Sequence, residues 1–598
     1  MVKEKLWCEL PLSASQHTID WLSLLRSLLL LRDLPLNPSG TPSTSNPSSR
    51  ESLQADPVTT GTSFGQWMAL IAALLGWMFD GAEMGVFSMV GRAAIQDLLG
   101  VTHSSPEAEQ KVGLYFSLVI AVFLVGAATG GVLFGWLGDR IGRVRAMSLS
   151  VLTYALFTGF CGFAQTPLQL GVLRFIAALG MGGEWSLGVA LVMEVWPNRS
   201  RALMAGLIGA AANAGYLLVG VIGIGLTAVL SQFEGYLAGM GLSEATVQML
   251  VANKGWRLMM MLGTLPAALT FFFRMFVPES SKWERERGRG ATSNWVASDL
   301  FGVLIGAVGP GLIVWVWADD RFGTQWRIVG TLTGLVIATF GYIYPVLRFL
   351  QRTFANSSTT ANETGRTIRR MLLGACLSGI ALIGTWGSTQ WAMSWAGQLT
   401  QNVKPADSSP RPIDDAQSGA DVRAKPSWFS AAITRNPREY TQIVTAIGAI
   451  IGTILAAMLG DWVGRRIAYC ALCFVSMASV LWFYQFHSRF DAQFLVAAFI
   501  LGACTASFYG WLPLYLPELF STNVRATGQG FSFNFGRILA AIGTLQIGSL
   551  LTFVDRYETF AGLKGGYPVA CSVVCFVYVI GMGLIWLAPE TKGRALPE

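Results

Sequence analysis

Long apolar segments separated by short polar loops recur along the chain from about residue 65 to its end. A helix needs ~20 mostly apolar residues to cross the hydrocarbon core of a bilayer. Fourteen segments reach that length, at residues 65–90, 113–135, 146–164, 168–194, 203–230, 256–277, 296–317, 328–350, 370–397, 440–459, 467–486, 492–516, 528–553 and 568–588. The pattern predicts an all-α membrane protein with about 14 transmembrane helices.

Residues 1–63 have a different composition. The stretch from Pro35 to Thr60 is rich in Pro, Ser and Thr, which is typical of a disordered tail. The apolar piece 21–31 is short and contains Arg26, so it favours a helix lying on a surface over a signal peptide or a span. We predict a disordered cytoplasmic tail here.

The composition supports the membrane prediction and excludes other classes. Hydrophobic residues make up 53% of the chain and charged residues 13%, against about 25% charged in soluble proteins. The net charge of +7 is spread over short loop clusters, which argues against a nucleic-acid partner. The sequence contains no Walker motif, zinc-ligand spacing or Ser-His-Asp order. It therefore predicts no enzyme, no cofactor and no metal.

The loop charges predict the orientation. Basic residues are more frequent in cytoplasmic loops, and an even number of spans places both termini on one side. The side with more of them carries Arg140, Arg143, Arg145, Arg199, Arg201, Lys282, Arg285, Arg287, Arg289, Arg348, Arg352, Arg366, Arg369, Arg370, Arg465, Arg466, Arg525, Lys592 and Arg594. Both termini are predicted in the cytoplasm, although the outer loop 398–438 is also basic.

Three motifs occur twice, in the same order. Gly135-Trp-Leu-Gly-Asp139-Arg-Ile-Gly-Arg143 follows the second span, and Leu459-Gly-Asp461-Trp-Val-Gly-Arg465 follows the tenth. A Glu-x6-Arg stretch leaves the fourth span at Glu194 and the twelfth at Glu518. A Pro-Glu pair, at Pro278 and Pro589, closes the sixth and the last spans. The ordered repetition indicates two homologous halves.

The repeat sets the predicted domain boundaries. Residues 64–278 form an N-terminal six-helix half and residues 370–593 a C-terminal one, while 279–369 connect them and include two inserted spans. Any single loop charge could serve only to fix topology. That alternative does not explain why the motifs recur in order.

These motifs resemble those of the major facilitator superfamily, whose two halves rock around a central site by alternating access. The resemblance covers about residues 64–593. It implies that the repeated charges form cytoplasmic latches between the halves and do not touch substrate. The implied latch residues are Asp139, Arg143, Glu194, Arg201, Asp461, Arg465, Glu518 and Arg525.

Within that superfamily the chain is similar to bacterial sialic acid transporters of the sialate:proton symporter branch. The similarity lies in Asp80-Gly-Ala-Glu83, Gly180-Met-Gly-Gly-Glu184-Trp185, Val192-Met-Glu194-Val-Trp-Pro and Gly528-Gln-Gly-Phe-Ser-Phe-Asn534-Phe-Gly, and in the two extra mid-chain helices. It implies proton-coupled uptake of sialic acid or a related organic acid across the inner (plasma) membrane.

A few charged residues lie at membrane depth, where charges are costly and functional by default. They are Asp80, Glu83, Arg174, Glu184 and Arg537. Asp80 and Glu83, three residues apart, share a helix face. All three His residues lie in the tail or in loops, so carboxylates would have to carry a proton. We predict that Asp80, Glu83, Arg174 and Glu184 couple transport to protons.

One hypothesis is that Glu83, with or without Asp80, exchanges a proton for a partnership with Arg174 during the cycle. An acid and an arginine at the equivalent positions are thought to act this way in proton-linked sugar porters, which the chain resembles. The alternative is a permanently ionised pair that only holds helices together.

For an acidic substrate, Arg537 with Asn534 on the same helix face is the predicted carboxylate site. Trp386, Gln390 and Trp391 supply aromatic and amide surface for a polar ring, and Asn213 and Tyr216 could add hydrogen bonds. The alternatives are that the two tryptophans belong to an interfacial belt and that Arg537 pairs within the protein.

The sequence thus predicts a secondary transporter whose partners are protons, a small acidic or neutral molecule and the lipid bilayer. Proton symport of sialic acid or a related organic acid is the first interpretation. A neutral-sugar symporter and a non-transporting membrane sensor on the same fold are the alternatives.

Overall fold

A computed structural model describes residues 64–101, 105–264, 274–319, 321–353, 360–401, 433, 436–554, 559–560, 563–564 and 566–597. The predicted disordered tail, residues 1–63, lies outside the described residues, and so does most of the basic loop 398–438.

The first part of the described chain contains seven α-helices. They are α1 Phe64–Leu98, α2 Pro106–Ile141, α3 Arg143–Cys161, α4 Pro167–Val195, α5 Arg201–Gly239, α6 Glu244–Leu262 and the short polar α7 Ser281–Gly288. A 3-10 turn, Asn198–Ser200, joins α4 to α5, and two more, Ala291–Asn294 and Ala297–Asp299, follow α7.

The remaining helices begin with a hairpin, α8 Leu300–Ala318 and α9 Thr324–Thr353. After it come α10 Thr360–Gly387, α11 Ala392–Gln401, α12 Pro437–Val463, α13 Arg465–Phe486, α14 Ala492–Thr505, α15 Phe508–Tyr515, α16 Arg525–Val554, α17 Tyr567–Cys575 and α18 Val577–Leu584. Short 3-10 turns are Thr389–Trp391, Leu516–Leu519, Thr522–Val524 and Ile585–Leu587. Two-residue strands, β1 Thr559–Phe560 and β2 Leu563–Lys564, pair antiparallel.

Twelve helical segments of the described chain are long and apolar enough to cross a membrane, and they coincide with twelve of the fourteen predicted spans. The centre of the sixth predicted span, residues 265–273, lies outside the described residues. The thirteenth falls within α16, a helix of 30 residues. The all-helical prediction is therefore confirmed.

Glycines allow the closest approaches between these helices. A Cβ atom at Gly182 would collide with the backbone carbonyl of Ala127 in α2, and one at Gly180 would lie 2.5 Å from the carbonyl oxygen of Ser150 in α3. The Gly-rich stretch of α4 thus lets its backbone contact two neighbouring helices, as small residues do in membranes.

The inserted hairpin is fastened to the rest of the protein. Its two helices approach at Gly309 and Gly334, where neither has space for a Cβ atom. At one end the Arg352 guanidinium donates to the buried Asp299 carboxylate, with an N···O distance of 2.6 Å. The Tyr342 and Thr129 hydroxyls are hydrogen-bonded at 2.7 Å, which ties α9 to α2.

The repeated motifs build two matching helix starts. Gly142 and Gly464 precede α3 and α13 with φ of 111° and 102°, a region that favours glycine. The Glu279 carboxylate accepts the Arg143 backbone N–H at 2.9 Å, and the Glu590 carboxylate accepts that of Arg465 at 3.0 Å. The Pro-Glu pair of each half therefore caps the helix that begins at the basic motif of the same half.

The Glu590 cap should stabilise the fold in a pH-dependent way. Partial burial raises the pKa of Glu590, but backbone N–H donors from Arg465, Arg466, Lys592 and Thr591 outweigh it and leave the pKa lowered. A lowered folded-state pKa gives stability that is present above the ordinary Glu pKa of about 4.3 and is lost as the pH falls through the folded value.

We predict that Glu590→Gln lowers the free energy of unfolding by about 1 kcal/mol at pH 7, as loss of a helix cap does. Thermal unfolding in detergent, followed by tryptophan fluorescence, should show the deficit narrowing as the pH falls below 4.5. Glu363→Gln, at a surface residue that bonds Arg366, is the matched control. An equal deficit at every pH contradicts the prediction.

Candidate functional site

A cavity lies at the centre of the helices, with walls from both halves. The space within it, including its opening, is about 900 Å³. α1, α4 and α5 supply one wall, and α10, α12 and α14 to α16 supply the other. Six predicted site residues line it, namely Asp80, Asn213, Tyr216, Trp386, Gln390 and Arg537.

Aromatic and amide contacts between the halves close one end of the cavity. The rings of Trp185 and Phe533 stack with centroids 3.8 Å apart. The Asn534 amide donates to the Gly182 carbonyl at 3.0 Å, and the Gln529 amide donates to the Ser186 carbonyl. Asn534 therefore lies in the contact between the halves and not among the residues that line the cavity.

Beyond this closed end, Glu194 links the two halves. Its carboxylate accepts from Arg143 at 3.3 Å and from Arg525 of the other half at 2.8 Å. Arg143 also donates to Asp139 at 2.8 Å. The Asp139 carboxylate in turn accepts the backbone N–H of Thr527 at 2.9 Å, at the start of α16. All four ionic side chains are buried.

The second set of latch residues joins the halves less tightly. Arg465 donates to Glu518 at 2.7 Å within the C-terminal half, while Arg201 of the other half is 3.9 Å from Glu518. Asp461 lies 3.5 Å from Arg465, but 52% of its side chain is exposed, against 0% for Asp139. The structure thus brings all eight predicted latch residues into two clusters of unequal burial.

The chain segment after α18, residues 591–597, contacts both latch clusters. The Arg525 guanidinium donates to the Pro597 carbonyl at 2.6 Å, and Arg201 donates to the Arg594 carbonyl at 3.3 Å. The Thr591 hydroxyl donates to Glu518 at 2.5 Å. Arginines of both halves therefore donate hydrogen bonds to backbone carbonyls of the same segment.

Glu83 and Arg174 form a buried ion pair inside the N-terminal half. The Thr158 hydroxyl also donates to Glu83, at 3.2 Å. The guanidinium of Arg174 lies 4.6 Å from the ring centroid of Phe87 and 4.2 Å from that of Phe123. Two aromatic faces and a carboxylate thus hold this arginine in place.

Glu184 pairs with Arg274, a residue absent from the predicted set. Both are buried, and a Cβ atom at Gly76 would lie 2.7 Å from the Arg274 guanidinium. Arg274 follows three phenylalanines at the end of the sixth predicted span. A stricter search for charges inside apolar runs would have found it.

Asp80 and Arg537 line the cavity from opposite walls. Their exposed fractions are 3% and 6%. Asp80 Oδ1 and Arg537 Nη1 are both buried without a hydrogen-bond partner, and among the described residues neither side chain forms an ion pair with N···O within 4.0 Å. The Arg537 guanidinium lies 5.4 Å from the ring centroid of Phe533.

Amides and hydroxyls surround this pair. The Gln390 amide donates to the Tyr216 hydroxyl at 3.3 Å, and the Asn213 amide donates to the Gly209 carbonyl in its own helix. Five further polar residues line the cavity that were not in the predicted set, namely Thr385, Thr389, Gln442, Thr445 and Tyr509. Trp391 is not among the lining residues, and its ring stacks on Tyr567 with centroids 5.9 Å apart.

Within the described chain, no three His, Cys, Asp or Glu side chains come together as metal ligands would. The chemistry of the cavity is therefore that of one carboxylate, one guanidinium, and amides, hydroxyls and aromatic rings.

Residues 68–305 and 323–596 match the family of sugar (and other) transporters. The match covers most of the chain, which therefore belongs to this family. Its members are membrane transporters and not enzymes.

Two curated relatives have similar length. A putative metabolite transport protein of Haemophilus influenzae is 24% identical, over 89% of this chain and 98% of that protein. The cis,cis-muconate transport protein of Acinetobacter baylyi is 24% identical, over 86% of this chain and 94% of that protein.

Among solved structures, the proton:xylose symporter XylE superimposes with a TM-score of 0.57 at 15% identity, covering 90% of this chain and 98% of that one. The human organic anion transporter MFSD10 gives a TM-score of 0.51 at 14% identity, covering 87% of this chain and 99% of that one. The predicted all-helical major facilitator fold, with extra helices, is confirmed. The protein is a multi-pass secondary transporter.

We predict that Glu194→Gln loosens the contact between the halves, because it leaves Arg143 and Arg525 without their shared carboxylate. Breaking a buried ion pair costs about 3–5 kcal/mol. Spin labels at Asn198, before α5 of the N-terminal half, and at Arg369, on α10, whose span belongs to the C-terminal half, should then show a longer and broader distance distribution. Glu363→Gln at the surface is the control, and an unchanged distribution contradicts the prediction.

Proposed function

We propose that the protein is a proton-coupled symporter of a carboxylate-bearing substrate, sialic acid or a related organic acid. The observation that carries this proposal is Arg537, a buried cation in the cavity wall with a nitrogen that lacks a partner. A buried, unpaired donor costs free energy, and a substrate carboxylate would satisfy it with charge-assisted hydrogen bonds.

A relative supports an acidic substrate. The cis,cis-muconate transport protein is named for a dicarboxylate, and its similarity covers 86% of this chain. The resemblance to sialic acid transporters gives one monocarboxylate candidate. Aromatic and amide groups such as Trp386 and Gln390 suit the polar body of such a molecule.

Asp80 is the proton carrier of this proposal. The hypothesis based on Glu83 is less favoured, because Glu83 already has Arg174 and Thr158 as partners inside one half. Glu184 is similarly held by Arg274. Asp80 has a carboxylate oxygen without a partner and lines the cavity, so it can exchange a proton without breaking an ion pair.

Alternating access follows from the position of the latches. The halves, residues 64–278 and 370–593, contact each other through both latch clusters, on the side that the loop charges assign to the cytoplasm. The cavity extends the other way, to Gln442 near the start of α12, the end opposite to Gly464. This arrangement supports a state that is closed to the cytoplasm. The cytoplasmic position of both termini and the location in the plasma membrane are part of the proposal, and they follow from the loop charges and the family resemblance.

A neutral-sugar symporter is the second candidate. The family and the fold shared with a proton:xylose symporter favour it, and the amide and aromatic lining would suit a neutral sugar as well. An acidic substrate requires the positive charge of Arg537, whereas a neutral sugar does not.

A non-transporting sensor would bind its ligand in proteoliposomes but would not exchange labelled ligand with the interior.

We predict that Arg537→Lys weakens binding of sialic acid or muconate about 10-fold or more, because lysine cannot make paired hydrogen bonds to a carboxylate. Thermal-shift titration of the purified protein measures the affinity, since a ligand stabilises the folded state that it binds. Xylose is the control ligand. Unchanged affinity for the acids removes the carboxylate role of Arg537, and a selective loss of xylose binding favours the neutral-sugar candidate.

We predict that Asp80→Asn abolishes uptake driven by a proton gradient in proteoliposomes, whereas Glu83→Gln, which leaves Arg174 unpaired, lowers thermal stability. Uptake of labelled sialic acid, with muconate in parallel, is compared with and without an inward proton gradient. Coupled uptake that survives both substitutions, each alone and together, contradicts a coupling role for either carboxylate.

A further inference from the structure

In the described part of the chain, six charged side chains are buried between the latch clusters and the opposite ends of the helices. Five belong to the N-terminal half and one to the C-terminal half. They are Asp80, Glu83, Arg174, Glu184, Arg274 and Arg537. A further pair, Asp97 with Arg257, lies at the far end of α1. The spanning residues outside the described set, 265–273, contain no charged residue.

Four of the six charges cancel inside the N-terminal half. Glu83 is paired with Arg174, and Glu184 is paired with Arg274. What remains is one negative charge, on Asp80, and one positive charge, on Arg537. These two lie on the walls of different halves, facing the same cavity.

Asp80 interacts electrostatically with charges on every side. Glu83 lies on its own helix, Glu184 on α4, Arg274 on the sixth span and Arg537 on α16. Because Glu83, Glu184 and Arg274 are each already in an ion pair, Arg537 is the only cation among the described residues that line the cavity. The net charge of the site therefore depends on whether Asp80 is protonated and on whether an anion is bound to Arg537.

A net charge in a site closed to water is costly, because the protein and lipid around the site stabilise a charge less than water does. With Asp80 ionised and no substrate, Asp80 and Arg537 balance. A proton alone would leave the site at +1, and a monovalent anion alone would leave it at −1. Both together restore balance, with protonated Asp80 on one wall and the anion against Arg537 on the other.

Resting on the proposed function, we propose that the transporter moves one proton with one monovalent anion in each cycle, and that only the empty and the doubly loaded sites change sides. The proton binds an Asp80 carboxylate oxygen on one side and leaves from it on the other. The anion leaves unchanged, so no net charge crosses the membrane. A dianion such as muconate would enter only with one carboxyl protonated.

The response of uptake to membrane voltage distinguishes this electroneutral coupling from one that moves net charge. In proteoliposomes, one pH unit should accumulate labelled sialic acid about 10-fold at equilibrium, because one proton accompanies each anion. A potential of about 60 mV, set with potassium and valinomycin, should leave the accumulation unchanged in either direction. Movement of one net charge would instead change it about 10-fold.

The outcomes distinguish the inference from the function on which it rests. If a proton gradient drives uptake of neither sialic acid nor muconate, the proposed function fails. If a proton gradient drives uptake but voltage changes the accumulation as well, the proposed function stands and the charge balance is overturned. A proton-driven uptake of xylose that equals that of the acids also overturns it.

Substitution of Asp80 gives a second, independent readout. In Asp80→Asn the loaded site, with an anion on Arg537, stays neutral, whereas the empty site keeps an unbalanced positive charge. Exchange of labelled for unlabelled sialic acid should therefore persist while net uptake is lost, and the surviving exchange shows that the variant folds.

Two variants control this readout. Asp319→Asn, in the loop of the inserted hairpin where Asp319 pairs with Arg321, removes a carboxylate away from the cavity and should leave both exchange and net uptake intact. Asp80→Glu keeps an ionisable carboxylate and should restore part of the net uptake that Asp80→Asn loses. Net uptake by Asp80→Asn at the rate of Asp319→Asn, or loss of exchange together with uptake in Asp80→Asn while Asp80→Glu transports, overturns the proposal.

Discussion

The Glu194 carboxylate lies between Arg143 of its own half and Arg525 of the other, and much of the structure depends on this contact. Arg143 begins α3 and Arg525 begins α16, so the three charges fix the starts of two helices and the end of α4 at one point. A buried carboxylate needs its cations, and buried cations need their carboxylate. The same three residues reinforce the closed end of the cavity, where Trp185 stacks on Phe533.

The two halves repeat the same motifs but do not use them equally. Asp139 is buried because the backbone N–H of Thr527 and the Thr527 hydroxyl point at it. Asp461, its counterpart, is half exposed, and no helix start in the described part of the chain donates to it in this way. One cluster therefore holds the halves together by direct backbone contact, and the other chiefly through Arg201. A rocking motion that separates the halves would break unequal sets of bonds in the two clusters.

The buried charges are also divided unequally between the two halves. The N-terminal half neutralises two of its acids internally with Arg174 and Arg274, while Asp80 and Arg537 remain open to the cavity from opposite walls. Pairing within one half does not change when the halves move, so it serves the architecture of that half. The open charges are the ones whose surroundings would change if a substrate bound in the cavity or if the halves moved apart.

The sequence by itself determined the helical class, the spans, the repeated motifs and the residues at membrane depth, because apolar length and the cost of buried charge act locally along the chain. It suggested one partnership that the structure contains, that of Glu83 with Arg174, but it did not determine most of the others. Asn534 and Arg537 are three residues apart on one helix, yet Asn534 bonds Gly182 across the contact between the halves and Arg537 faces the cavity. The position of Arg274 inside an apolar run could be seen in the sequence, but only the packing of α4 identifies Glu184 as its partner. Such pairings depend on how helices distant in sequence cross, which only the tertiary structure decided.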